Sequence, residues 1–500
     1  MKGNSRKGLR GLTAQEIFEK VYRGKSIRFE QLLAANQHLD FSPDEVSLDT
    51  FLTPEILLKS PIISSPMDTV TTARMGIGMA DAGGIGCIHS NLDSFQQKRD
   101  AGKVKFGGLV TNPFVLSTDR GLESLEFVRE KYSHVPITED GKPNGRLVGV
   151  IPKSFRLRPH YETIQDCLSD ESVRSPATIL REEILYENGV VNKEKALAIM
   201  QEKAATALTV VDESHRLVGL VISSDLRVSS NTSALATLDS EGRRRVGAAI
   251  TTVPEDYERR VPQLVDIGVD VLCIDTAHGD SKFVAQTIAW IKKRYPAMQI
   301  IAGNISTAKA AYFLVDAGGD ALRVGNGSGG ACTTHGVTHT GAESAVGLYR
   351  VAAALRGLVR GSDIPIIVDG GIRSSGDIFI ALALGGDVVM CGTYLAPLME
   401  SAAPLVTIVV DGKPTFRKRH RGMASASAQR DRVVARYGAD QIRMPEGKEV
   451  YLEPEQRPLP EFISLTMAGV RQAFAYVGVR TITELHKKVR KGEITFDVSA

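Results

Sequence analysis

The chain has 500 residues, 43% of them hydrophobic and 24% charged, with a formal net charge of +3. That length exceeds one ordinary domain, although α/β barrels commonly spend about 200–250 residues on a single one. The near-neutral balance supplies no long-range field for DNA or for a membrane surface, and no apolar run approaches the roughly 18 residues of a spanning helix. Five cysteines (Cys87, Cys167, Cys273, Cys332 and Cys391) are scattered, odd in number and matched to no metal spacing. They read as reduced thiols without a disulfide framework. The basic N-terminus lacks the apolar segment of a secretory signal, and Phe496–Ala500 carries no lipidation or retention signal, so the expected location is cytoplasmic.

In chain order, residues 1–60 are mixed. Pro61-Ile62-Ile63-Ser64-Ser65 is a short apolar run ending in small polar residues, followed by helical material over 72–82. Gly83-Gly84-Ile85-Gly86-Cys87-Ile88-His89 repeats that plan, which is the pattern of βα units. The alternation then stops. Residues 106–227 are more polar and contain an internal repeat: Gly145-Arg146-Leu147-Val148-Gly149 recurs 70 residues on as His215-Arg216-Leu217-Val218-Gly219. Each copy follows an apolar run and an acidic turn. Two such units resemble a tandem pair of cystathionine-β-synthase-type (CBS) modules, and two unrelated hairpins are the plainer reading.

After the Ser229–Ser233 joint the βα rhythm returns, with strands expected at 246–250, 271–275, 299–304, 321–324, 365–369 and 387–391. Six here and two before the insertion make eight, the number that closes a (β/α)8 TIM barrel from parallel strands buried on both faces. The expected organisation is therefore an α/β barrel over 1–105 and 228–500, with the 106–227 insertion leaving the loop after the second strand. Ser65, Asp275, Asn304, Gly325, Asp369 and Gly392 all fall at C-terminal strand ends, the face on which barrel enzymes do chemistry. Any one of them could simply cap the next helix; six together favour a site.

Asp369-Gly370-Gly371 and Cys391-Gly392-Thr393 end the last two strands, where glycine-rich turns let backbone N–H groups face a phosphate. A carboxylate beside such a cradle suits a ribose diol, so a nucleoside monophosphate is indicated. Gly325-Asn326-Gly327-Ser328-Gly329-Gly330-Ala331-Cys332-Thr333-Thr334 follows the sixth strand. There Cys332 is either a small buried hydrophobe in a turn or a nucleophile for an electrophilic ring carbon.

Ser64-Ser65-Pro66-Met67-Asp68, Asp275-Thr276-Ala277-His278-Gly279, the Cys332 loop, Asp369-Gly370-Gly371-Ile372-Arg373-Ser374 and Arg421-Gly422-Met423 closely resemble the IMP dehydrogenase/GMP reductase family, in the family's order and over nearly the whole chain. Arg436-Tyr437, with Pro445-Glu446-Gly447 beyond, is similar to the mobile flap of the dehydrogenases, a pair that the reductases lack. The resemblance implies NAD-dependent oxidation of IMP to XMP. It assigns Cys332 as nucleophile and Arg436, Tyr437 and Thr334 to hydrolysis of the covalent intermediate. It places IMP against Ser65, Met67, Asn304, Arg323, Asp369, Gly370, Gly371, Gly392, Thr393, His420, Gly422, Met423 and Glu446, with Asp275, Thr276 and Ala277 on the NAD side. It further implies a homotetramer, in some members an octamer, and a regulatory purine nucleotide at the CBS pair. Potassium bound by the carbonyls of Gly327, Gly329 and Cys332 is a family trait, but the chain stops at Ala500 without the neighbouring tail that completes such a site, which argues against it. GMP reductase, using NADPH, and a nucleotide sensor without turnover are the alternatives.

Three departures weigh on phosphate binding: Gly330 stands where the family keeps a serine, His420 where it keeps a tyrosine, and Ala424 where it keeps a glycine. Each hydroxyl lost without compensation costs about 1–3 kcal/mol, and a protonated His420 is one expected compensation.

Overall fold

The computed structural model describes residues 11–129, 132–174, 176–226, 234–356, 364–431 and 444–499. These divide into two compact units. The first comprises the chain up to Gln97, Thr232–Thr237 and Arg245 onward; the second comprises Lys98–Asn231 with Leu238–Arg244.

The first unit is a closed eight-stranded barrel. Its strands are β1 (Ile62–Ser64), β2 (Ile85–Ile88), β3 (Gly247–Ile250), β4 (Val271–Ile274), β5 (Gln299–Ile305), β6 (Ala321–Val324), β7 (Ile366–Asp369) and β8 (Val388–Cys391). Neighbours in chain order pair in parallel, and β8 returns to β1. Strand residues are almost uniformly buried because helices cover the outer face while the interior is filled with side chains. Ile63, Ile85, Cys87, Ala249, Val271, Cys273, Ile301, Ala321, Ile367, Val388 and Met390 form that core, joined by Leu52, Ile56 and Leu58 of the hairpin Thr50–Thr53/Ile56–Leu58. Within β2, β4 and β8 the core residues are two apart, as the period of a strand requires.

Helices start where the sequence offers caps: Ser281, Thr307, Ser374 and Thr481 each accept the backbone N–H two or three residues into the helix that follows. The helix Ile482–Arg490 brings His486 onto the turn before β8, where Nε2–H donates to Leu382 O at 2.9 Å and Gly386 O at 3.0 Å. An antiparallel three-stranded sheet (Leu405–Val410, Lys413–Arg421, Glu449–Leu452) lies between β8 and the C-terminal helices; the apolar run Leu405–Val410 is nevertheless largely exposed.

The second unit contains two antiparallel hairpins of one construction, His134–Thr138 with Leu147–Pro152 and Ala207–Val211 with Leu217–Ile222. Each is irregular at the same place, between Ile137 and Thr138 and between Val210 and Val211. The repeat seen in the sequence is thus a repeat of structure. Separate apolar cores gather around Val135, Ile137 and Ile151 and around Leu208, Val210 and Val221.

Burial, together with the positive charge of Arg356, pushes the His486 imidazole down to about 3. Its folded-state pKa lies below the ordinary value near 6.5, so the unfolded chain takes up a proton first as pH falls. Stability is therefore lost from about pH 6.5 downward, at about 1.4 kcal/mol per pH unit for this group, until the folded value is reached. The acid slope of the denaturation midpoint between pH 6.5 and 4 should be shallower in His486→Gln than in the parent protein.

Candidate active site

The site lies at the C-terminal ends of the barrel strands and is built on a buried ionic floor. Arg323, in β6, extends its guanidinium between carboxylates at the ends of two other strands: Nη1 lies 3.0 Å from Asp275 Oδ1, after β4, and Nη2 2.9 Å from Asp369 Oδ2, the last residue of β7. Burial opposes its charge, but Asp369 and Asp275 outweigh that and hold its pKa above the ordinary arginine value. Asn304 Nδ2 donates to Asp369 Oδ2 at 2.7 Å and to Gly325 O at 2.8 Å. Its Oδ1 is buried with no hydrogen-bond partner. A buried polar atom without a partner is costly, and Asn304 is among the residues that line the smaller of the site's two cavities. Asp369 spends Oδ2 on Arg323 and Asn304, which leaves Oδ1 for a ligand hydroxyl.

Above this floor runs the loop from β6 to Cys332. Gly325 sits at φ +146°, and a Cβ there would come within 1.9 Å of Asp369 O, so only glycine lets the loop pass over the end of β7. Gly370 and Gly371 also have positive φ, as expected of a turn that presents backbone N–H groups. Cys87, Cys167, Cys273 and Cys391 are buried, whereas Cys332 is part exposed. Burial raises the thiols of Cys87 and Cys391, so these two are packing residues.

Cys332 Sγ–H donates to Thr334 Oγ1 at 3.2 Å, and Thr334 Oγ1–H donates to Glu446 Oε2 at 2.9 Å. The segment carrying Glu446 is clamped beside the loop, because Thr333 N–H donates to Glu446 O at 2.9 Å and Lys448 N–H to Ala331 O at 3.0 Å. Thiol, hydroxyl and carboxylate thus form a chain along which a proton can leave the sulfur.

Two cavities meet at this chain. The smaller, about 190 Å³, is lined by Ser65, Met67, Asp275, Thr276, Ala277, Asn304, Arg323, Gly327, Gly329, Cys332, Thr334, Asp369, Gly370, Gly371, Gly392, Thr393, Gly422, Met423 and Glu446. The larger, about 630 Å³, is lined by Ser90, Asn91, Thr251, His278, Ser306, Thr307, Thr338 and Thr340, and shares Ala277, Asn326, Thr334, Met423 and Glu446 with the smaller. Asp68, with Asn91 at 2.9 Å and Arg421 at 2.7 Å, ties the loop after β1 to the loop bearing Met423. Burial would raise that carboxyl, but Arg421 reverses the effect and keeps it below its ordinary value.

Nearly every residue expected at the site is therefore brought to it. Arg436 and Tyr437 lie outside the described residues. Asp275 and Thr276, expected on the cofactor side, line the smaller cavity, and the Asp275 carboxylate is committed to Arg323. The Glu446 carboxylate, expected on the purine, is bonded to Thr334. His420 does not line the cavity: it is fully buried behind Thr393, and burial pushes it down to about 4, so it is neutral and supplies no charge to a phosphate. The protonated His420 expected as compensation is corrected by that burial. Sequence reasoning missed Ser90, Asn91 and Thr251, although they follow β2 and β3 and obey the same strand-end rule as Asp275.

Fold and site define a (β/α)8-barrel enzyme with a cysteine-centred site over an ionic floor. Residues 26–498 match the family described as the IMP dehydrogenase/GMP reductase domain. Inosine-5'-monophosphate dehydrogenase of Aquifex aeolicus is 36% identical over 491 residues, covering 96% of this chain and 95% of the relative. That of Halalkalibacterium halodurans is 37% identical over 488 residues, covering 96% and 95%. Among solved structures, a GMP reductase variant from Trypanosoma brucei in complex with guanosine 5'-monophosphate superposes with a TM-score of 0.65 at 29% identity, covering 95% of this chain and 96% of that one. The chain belongs to the IMP dehydrogenase/GMP reductase family and is an oxidoreductase.

Arg323→Met should leave two buried carboxylates without their common countercharge and cost about 3–5 kcal/mol in denaturant titration. Arg323→Lys should recover only part of this, since a single ammonium cannot reproduce the fork that spans both partners.

Proposed function

We propose that the protein oxidises IMP to XMP with NAD. The observation that carries this reading is the Cys332–Thr334–Glu446 chain at the junction of two cavities, one lined with the groups a nucleoside monophosphate needs, the other open for a second ligand. The phosphate is placed at the turns Gly370-Gly371 and Gly392-Thr393, the ribose diol at Asp369, and C2 of the hypoxanthine ring at Cys332 Sγ. The Cys332 proton passes through Thr334 to Glu446, and the thiolate adds to C2. Ala277 and His278 would hold NAD in the larger cavity, where it would supply the acceptor for the hydride that leaves C2 with its electron pair. Water then adds to the same carbon and the thiolate departs, giving XMP. We assign activation of that water to Arg436 with Tyr437, by the family's flap motif, so that the water's proton leaves through that pair while the proton held on Glu446 returns through Thr334 to the departing Cys332 thiolate.

We read the second unit as a pair of CBS modules, on the strength of its two hairpins with equivalent irregularities, and place a regulatory purine nucleotide there. Potassium at the cysteine loop is the weakest part of the family pattern here, since Gly329 O already accepts the Cys332 N–H at 2.9 Å.

The deciding experiment follows reduced-cofactor absorbance with IMP plus NAD and, separately, with GMP plus NADPH. A rise in the first supports dehydrogenase activity. A fall in the second with silence in the first replaces it by the reductase reaction. Cys332→Ala should abolish turnover, and Glu446→Gln should slow it by roughly a hundredfold, the scale of a lost general base. Arg436→Ala should keep a burst of NADH formation while slowing steady turnover; equal losses in burst and steady state would remove the assigned role.

A further inference from the structure

The buried histidine behind the phosphate turn has a defined hydrogen-bond polarity. Arg421 N–H donates to Thr69 Oγ1 at 3.4 Å, Thr69 Oγ1 lies 2.8 Å from His420 Nδ1, and His420 Nε2 lies 3.2 Å from Thr393 Oγ1. Thr69 is only 7% exposed, so its proton needs an acceptor inside the protein, and Nδ1 is the one within reach. With Nδ1 accepting, the neutral ring carries its proton on Nε2 and donates it to Thr393 Oγ1. The Thr393 hydroxyl proton is then free to point into the smaller cavity, which Thr393 lines beside Gly330, Gly370 and Gly392. The opposite tautomer would strand the Thr69 proton and turn the Thr393 proton back toward the ring.

The same threonine accounts for Gly330. A Cβ on Gly330 would come within 3.0 Å of Thr393 Oγ1 and 3.2 Å of its methyl carbon, so Thr393 occupies the space that a larger residue at 330 would claim. A serine at 330 would press on the hydroxyl it was meant to supplement.

We propose that His420 is a positioning residue for anion recognition: it fixes the direction of the Thr393 hydroxyl, so that one aimed O–H serves the ligand's phosphate where Gly330 and His420 bring no donor of their own. The inference deepens the nucleotide reading of the site and rests on it for the phosphate's position. It does not depend on which purine is bound.

The test is calorimetric titration of the full chain with IMP, GMP and inosine. The choice between the two nucleotides bears on the proposed reaction, whereas the preference for nucleotide over phosphate-free nucleoside bears on His420. In His420→Phe that preference should fall roughly tenfold or more, the scale of a hydrogen bond to a charged group, with inosine affinity held. Thr393→Val should give the same loss, and the double variant should lose little beyond either single one. Thr69→Val, which removes the proton donor at the far end of the chain, should give a smaller loss of the same kind even if His420→Phe folds poorly. An unchanged preference in Thr69→Val and His420→Phe, an equal loss of nucleotide and nucleoside affinity, or additive losses in the double variant would overturn the proposal. So would a parent protein with no preference for the phosphate.

Discussion

The site depends on one buried guanidinium. Arg323 stands on β6 between carboxylates that end β4 and β7, and its two ion pairs of 2.9–3.0 Å fix three of eight strand ends relative to one another. Desolvating three charges is expensive, and geometry repays it only when the pairs are close and further hydrogen bonds support them. Here the fork of Arg323 serves both carboxylates while Asn304 adds a second donor to Asp369 Oδ2 and holds Gly325 O. The glycine loop is therefore anchored at its root by the same cluster that orients the Asp369 carboxylate. Cys332, seven residues along, inherits its position from that anchor and its proton path from Thr334 and Glu446.

Much of this was legible in the sequence because barrel strands carry a strong physical signal. A strand buried on both faces must be apolar throughout, so Ile62–Ser64 or Val388–Cys391 needs no periodicity to be recognised, and the first polar residue after it marks the catalytic face. Asp275, Asn304 and Asp369 were found on that rule. The sheet built from Leu405–Val410 and Lys413–Arg421 escaped it because its strands are antiparallel and part exposed, and an apolar run need not be buried.

What the sequence could not yield are relations between distant side chains. Glu446 meets Thr334 across 112 positions, and no spacing rule links them. His420 follows Arg419 and precedes Arg421 in a strand, and its neighbours give no hint that its ring is buried between two threonines. The expected compensation for Gly330 was a charge; the compensation proposed from the structure is a hydroxyl, that of Thr393, with the buried His420 ring 3.2 Å behind it. Low dielectric makes that arrangement economical, since a neutral donor chain avoids the desolvation that a buried imidazolium would incur.

In the proposed reaction Cys332 forms a bond to C2 of the purine after its proton passes through Thr334 to Glu446. Acid-quenched mass spectrometry of protein mixed with IMP and NAD tests it most directly. A nucleotide adduct is expected on the peptide bearing Cys332, present in the first turnover and absent when NAD is omitted. Formation of NADH with no adduct at any time point, or an adduct mapped to another residue, would contradict it.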